Sequence, residues 1–328
     1  MRQRERISGL LFTACAGLVI LVMATIFVFV GVNAYQTFTV DHISPAAFFF
    51  TAAWLPDSGQ AGSLVLIVGS VVVTVLAVLL GTPISLGIAI FVAEIAPSWA
   101  RNIMRPALEL LTGIPSIVYG FLGLLVIVPL IPRVYNAITG GPYLASGFDA
   151  LAAALVLTVM ILPTITTLAI DALAALPQGL REASLALGAT RWQTIRRTLV
   201  PAASSGIFTG VILGMGRAIG ETLAVSFVIG SNANSFPIRF TGFYPYVQLP
   251  PSSTTTVQLL FDFAEATPGS LNYHAIWTLA FILLLISFLL VAASRWVASR
   301  GAYREPSRTS GGRGMKRLAA VVTRGRAS

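Results

Sequence analysis

Charge is scarce in this sequence. Only 10% of its 328 residues are charged, where a soluble domain carries about a quarter. Hydrophobic residues make up 56%, and the mean hydropathy is +0.84. That balance excludes an ordinary soluble domain, and it excludes disorder, which needs low hydrophobicity. The lone cysteine, Cys15, rules out a disulfide framework and most cysteine-based metal sites. Two histidines, His42 and His274, leave little for zinc. Lysine occurs once, at Lys316, and Arg317 follows it, so the sequence holds no G-x-x-x-x-G-K-[ST] phosphate loop. If ATP drives this protein, another chain binds it. No G-x-S-x-G elbow, metal cluster or carboxylate dyad is legible. No catalytic residue, metal or cofactor of its own is expected.

What the sequence has in quantity is long apolar runs. A helix crosses a bilayer with about 20 apolar residues. Six segments qualify, at 10–32, 64–93, 108–131, 150–173, 203–230 and 275–297. The first is too long for a signal peptide and lacks a convincing cleavage site; too few apolar residues precede Cys15 for a lipoprotein. The second exceeds one span, and Pro83 with Gly81 and Gly87 is expected to bend it. The fold class is therefore an all-α integral membrane protein of six transmembrane helices. Eighteen of the 21 basic residues fall in segments that lie on one side of the membrane if the N-terminus is inside. Only Arg133 and Arg239 fall on the other side, and Arg217 lies within a span. The positive-inside rule then puts both termini in the cytoplasm. A basic face on a soluble fold, which nucleic-acid binding would need, is missing. Residues 1–63 form an N-terminal unit, 64–297 a core of five spans, and 298–328 a basic tail expected to be disordered and to lie on anionic lipid. The connection 231–274, with PPSSTTT at 250–256, either folds against the outer mouth, receives a partner or is a passive linker.

Only one span carries charge near its middle, GIFTGVILGMGRAIGETLAVSFVIG from Gly206. Arg217 and Glu221 are four residues apart and on a helix would share a face. Arg217 lies about 18 Å along the axis from residue 205, at about 1.5 Å per residue. A central arginine costs about 2.5–3.5 kcal/mol on insertion scales and faces the bundle interior or a wet path. One reading is a neutralised pair that fixes packing. The other is a permeation path for an anion, since a guanidinium holds oxyanions in a forked geometry. Gly206, Gly210 and Gly214 make a small-residue row suited to close helix packing. TGIPSIVYGFLG, from Thr112, breaks at Pro115 and offers Ser116 and Tyr119. MILPTITTLAID, from Met160, offers Thr164, Thr166 and Thr167 after Pro163. Interrupted helices free polar groups at mid-membrane, although a lone threonine more often bonds its own helix.

Between the fourth and fifth spans lies PQGLREASLALGATRWQTIRRTLVPAA, from Pro177. Trp192, Ile195 and Leu199 share one face, Gly188 divides the segment into two short helices, and Pro201 opens the next span. An amphipathic pair of this kind docks a partner or lies on lipid. The segment resembles the EAA loop of ABC-importer permeases. Glu182-Ala183-Ser184 stands for E-A-A, with Gly188 and Pro201 at the family spacing. Ser184 replaces alanine, Thr198 isoleucine and Val200 leucine.

LELLTGIPSIVYGFLGL, REASLALGATRW, GMGRAIGETLAV and FAEA at 263–266 are similar to the phosphate-uptake (Pst) permeases, nearer the PstC type than the PstA type. The likeness runs from about residue 64 to 297. It implies the type I importer architecture in a bacterial plasma membrane. It also implies a heterodimer with a PstA-like permease, a PstB-like ATPase dimer that binds ATP and magnesium, and a PstS-like periplasmic phosphate-binding protein. It casts Glu182, Ala183, Gly188, Ala189, Thr190 and Pro201 as ATPase-coupling residues and ties Arg217 and Glu221 to the substrate path, to which the proline-broken helices add Ser116 and Thr164 as candidates. Permeases for sulfate or molybdate, an ion-driven transporter or channel without an ATPase, and a membrane anchor are the other readings open.

Overall fold

The computed structural model describes residues 2–139, 147–240, 247–248 and 250–301. The basic tail from 302 onward and its lipid contact lie outside the described residues. Among them, five helices are long and apolar enough to cross a membrane, six if one bent pair counts as a span. In chain order the elements are α1 (Arg2–Thr39), α2 (Pro45–Phe50), α3 (Leu64–Ile90), α4 (Ser98–Gly113), α5 (Ser116–Leu122), α6 (Val128–Thr139) and α7 (Ala150–Ala174). Then come α8 (Gln178–Ala186), α9 (Arg191–Thr194), α10 (Val200–Ala202), α11 (Ser204–Ile219), α12 (Leu223–Ser226), α13 (Thr255–Glu265) and α14 (Leu271–Gly301). Wide π-turns end α3 at Phe91–Ile95 and join α5 to α6 at Gly123–Ile127. A two-stranded ribbon, β1 (Trp54–Leu55) with β2 (Gln60–Ala61), is antiparallel and pairs Trp54 with Ala61.

The bundle is built around α7. Its most apolar window is 67% buried, against 6% for α1, so α7 is the centre and α1 the periphery. Val73 and Ala77 of α3 share a core with Leu157 and Ile161 of α7. The two helices are also stitched by hydroxyls. Thr158 Oγ1 donates to the Ala77 carbonyl at 3.3 Å, and Ser85 Oγ to the Leu162 carbonyl at 3.3 Å. The glycine row works as packing. A Cβ on Gly206 would meet Ala172, on Gly210 Leu168, and on Gly214 Ile165, so α11 lies on α7 at near-backbone distance. α1 docks only its C-terminal part, where Thr37 and Thr278 of α14 share a 2.8 Å hydrogen bond and His274 Nδ1 meets Asp41 at 2.8 Å.

Two expected spans differ from the sequence reading. The third does not begin at 108. α4 ends at Gly113, the chain is extended at Ile114–Pro115, and a new helix starts at Ser116 and runs to Ile138. Proline removes a backbone donor and disfavours helical geometry in the residue before it. The fifth expected span, 203–230, is not one helix. α11 meets the preceding helix at a 67° bend, stops at Ile219 and gives way to a break before α12. Pro201 sits inside α10, ahead of that bend, and does not open α11 directly. Pro83 lies inside a continuous α3.

The 231–274 connection is no passive linker. Ser252 and Ser253 are fully buried, as are Thr254, Thr255 and Thr256 within a few per cent. This segment plunges into the bundle end opposite the arginine-rich loop. A Cβ on Gly69 of α3 would lie 2.2 Å from the Ser253 carbonyl oxygen, so only glycine admits the strand-like chain there. The ribbon locks over it: Trp54 Nε1 donates to Asp262 Oδ2 and Trp54 N to Asn234 Oδ1, both at 2.6 Å.

Candidate functional site

Two helix breaks meet inside the bundle. One is Ile114–Pro115 between α4 and α5; the other is Gly220–Thr222 between α11 and α12. A Cβ on Gly120 of α5 would lie 2.8 Å from the Ala224 Cα in α12, so the restarted helices pack side by side. Tyr119 spans the first break, its hydroxyl donating to the Leu111 carbonyl at 2.6 Å.

Arg217 lies two residues before the end of α11, half-buried, with its charge acting on Tyr119. No ion pair joins Arg217 to Glu221 among the described residues. The sequence reading of a shared helix face fails because α11 ends at Ile219. Glu221 is outside the helix, and the i, i+4 relation no longer brings the side chains together. Its Oε1 instead accepts from Ala224 N at 3.2 Å and caps α12, while its carbonyl accepts from Thr256 Oγ1 at 3.0 Å. The carboxylate borders a small cavity of about 10 Å³ lined by hydroxyls of Ser70, Thr74, Thr254 and Thr256. That volume suits about one water molecule. A tetrahedral oxyanion does not fit in it. Ser70 and Thr74 lie six and ten residues into α3, roughly 9 and 15 Å from its start. The polar layer is therefore deep in the span.

The other two path candidates stand apart. Ser116 is half-buried at the first position of α5, and no hydrogen bond links it to Arg217 or Glu221. Thr164 is half-buried on α7, and its hydroxyl has no hydrogen-bond partner; neither has that of Thr166, which is fully buried. Thr167 bonds its own helix, to the Pro163 carbonyl at 2.8 Å. The buried 252–256 segment agrees with one sequence reading of the 231–274 connection, folding against the outer mouth, although its partners were not legible. Its clustered hydroxyls and the glycine at 69 were the available signals.

The arginine-rich loop is the second candidate region. Gly188 has φ +84°, a conformation glycine adopts freely, and it separates α8 from α9 as expected. Thr190 and Gln193 form a capping box on α9, and Ala189 N donates to the Ser184 carbonyl at 3.3 Å. Two of the three departures from the family pattern face each other. Ser184 Oγ lies 3.0 Å from Thr194 Oγ1 and 3.4 Å from Thr198 Oγ1, so hydroxyls replace an apolar contact between the two arms. Glu182 and Ala183 are exposed. The expected apolar face is split: Ile195 and Leu199 are buried, whereas Trp192 is 58% exposed, and Leu187 nearby in sequence is 89% exposed. Exposed apolar side chains on a charged loop are a candidate partner surface.

One guanidinium ties this loop to the spans. Arg181 Nη2 lies 2.6 Å from Glu94 Oε1, and its Nε lies 3.2 Å from both carboxylate oxygens. It also donates to the Leu173 and Leu176 carbonyls at 2.9 and 3.0 Å. The hydrogen bonds that Arg181 donates to Glu94 favour its charged form and raise its pKa above the ordinary arginine value. Neither residue stood out in the sequence.

Residues 85–302 match the family described as binding-protein-dependent transport system inner membrane component. A probable ABC transporter permease of Bacillus subtilis, YqgH, is 42% identical, with 91% of this chain and 93% of that protein covered. The phosphate transport system permease protein PstC of Xylella fastidiosa is 32% identical over 90% of this chain and 91% of its own. Among solved structures, a bacterial ABC transporter involved in import of the acidic polysaccharide alginate has a chain of the same fold. Its TM-score is 0.60 at 12% identity, covering 92% of this chain and 99% of that one.

Proposed function

This chain belongs to the family of binding-protein-dependent transport system inner membrane components, and from that premise we propose that the solute it passes is inorganic phosphate. Members of the family are multi-pass permease subunits of ABC importers. They carry no catalytic site, and a separate ATPase subunit hydrolyses ATP. A second permease subunit and a binding protein complete such importers.

The anion is carried by one observation: Arg217 sits half-buried beside two helix breaks, and among the described residues no carboxylate neutralises it. A guanidinium left unpaired in a low-dielectric region attracts an oxyanion strongly. Glu221, turned aside to cap α12, shapes the field without cancelling it, so the site is weak enough to release its ion. The choice of phosphate over other oxyanions rests on the PstC relatives.

The finer assembly follows in the same reading. PstA-like, PstB-like and PstS-like partners surround the chain, both termini face the cytoplasm, and ATP with magnesium binds the ATPase. The loop 175–201 enters a groove on that subunit through Leu187 and Trp192. Loaded binding protein docks at the opposite end, over the ribbon and the 231–240 turn, above the buried 252–256 segment.

The test is labelled phosphate uptake in a strain that lacks its own high-affinity system and is supplied with the three partners. Uptake that excess sulfate and molybdate leave unchanged supports the proposal. Uptake abolished by sulfate or molybdate reassigns the substrate to that oxyanion.

A further inference from the structure

Helix α8 buries none of its own residues, yet the loop it carries must move with a partner if it is to couple ATP hydrolysis to transport. Leu180, Ile195 and Leu199 pack the loop on Ala89, Val92 and Leu173, and Arg181 adds a polar grip on the same two spans. The guanidinium is shared between them. Three contacts reach Glu94, in the π-turn that ends α3, one reaches the Leu173 carbonyl in the last turn of α7, and one reaches the Leu176 carbonyl just beyond that helix. The last carbonyls of a helix lack intrahelical donors and favour a cation. The planar fork of arginine serves a carboxylate and two carbonyls at once, which a lysine ammonium does less well. The joint is also able to open. It borders a cleft of about 180 Å³ lined in addition by Leu185, Arg191 and Thr194, and its side chains are 24% and 11% exposed. A bond with water on one side can break and re-form within a cycle; one sealed in a core cannot.

We propose that Arg181 and Glu94 are positioning residues for transport: they form the joint through which movement of the 178–199 loop reaches α3 and α7. This rests on the importer-permease reading of the chain. Apolar packing lets surfaces slide, whereas this joint fixes α8 to both spans in one direction. With it, displacement of the loop drags the end of α3 and the last turn of α7 together. Those helices carry, further along, Ser70 and Thr74 beside Glu221, and Thr164.

The experiment uses the full complex in liposomes, with its ATPase, second permease subunit and binding protein. Basal and binding-protein-stimulated ATP hydrolysis are compared for wild type, Glu94→Gln, Glu94→Asp, Arg181→Gln and the Glu94→Gln/Arg181→Gln double variant. The proposal expects the ATPase subunit to remain bound and basal hydrolysis to be unchanged in Glu94→Gln, with stimulation falling about tenfold. Glu94→Asp, which keeps the charge on a shorter arm, retains part of the stimulation. The double variant is no worse than Arg181→Gln, because both act through one joint. Full stimulation in Glu94→Gln overturns the proposal, as do strictly additive losses in the double variant or parallel loss of the ATPase subunit and of basal hydrolysis. Stimulation is read without reference to the solute. A wild-type complex that is stimulated but accumulates no phosphate therefore counts against the substrate and not against the joint.

Discussion

Replacing Gly69 by alanine probes the buried 252–256 segment directly. The new methyl carbon would lie 2.2 Å from the Ser253 carbonyl oxygen, where a carbon–oxygen contact needs about 3.3 Å or more. α3 and the segment must therefore separate by about 1 Å, and overpacking of this kind costs about 1–3 kcal/mol. The shift also stretches two hydrogen bonds that hold the segment: Thr255 N to Ser70 Oγ at 2.9 Å, and Thr256 Oγ1 to the Glu221 carbonyl at 3.0 Å. Each contributes about 1 kcal/mol. Alanine returns about 0.5–1 kcal/mol through helix preference. The net effect is a loss of about 2–4 kcal/mol. Gly87→Ala is the control, since a Cβ there meets nothing within 4 Å and only the helix preference acts. The assay is equilibrium unfolding of the purified protein in detergent, alongside phosphate uptake. Gly69→Ala should be the less stable of the two and poor in uptake. Equal stability would refute the reasoning that the segment is wedged against α3.

Gly188→Ala meets no steric obstacle but forces alanine to φ +84°, at a cost of about 1–2 kcal/mol; pull-down of the ATPase subunit should weaken while the spans stay folded. Trp192→Ala removes an exposed ring, so thermal stability should hold while affinity for the ATPase subunit, measured by titration, drops about tenfold or more. Thr256→Val deletes the hydroxyl that bonds Thr254 and the Glu221 carbonyl. A loss of about 1–3 kcal/mol in unfolding free energy is expected, together with slower uptake.

The apolar runs made the bundle legible, because the length of a span and the bias of arginine are properties of the local sequence. The glycine row was legible as packing for the same reason, as was the division of the loop at Gly188. The helix breaks were partly legible: Pro115 marked the first. Nothing comparable marks the second, where GMGRAIGETLAV reads as continuous helix and the chain leaves it at Gly220. Arg217 and Glu221 were found as lone charges in an apolar run, but their pairing was not realised, since it depended on a helix that stops between them. Arg181 and Glu94 are 87 residues apart, and each is unremarkable among its neighbours; only the packing of α3 beside α7 brings them together. The 252–256 segment shows the general limit. Its polarity left folding against the outer mouth and a passive linker both open, and the reason for its burial lies in long-range partners at Gly69, Ser70 and Glu221.

The central claim is that an unneutralised Arg217 beside two helix breaks serves an inorganic oxyanion. The most direct measurement is accumulation of labelled phosphate in liposomes holding the complete complex and ATP, for wild type, Arg217→Gln and Arg217→Lys. The account predicts accumulation by wild type, little by Arg217→Gln despite intact assembly and ATP hydrolysis, and partial recovery by Arg217→Lys. Accumulation by Arg217→Gln at the wild-type rate would contradict it.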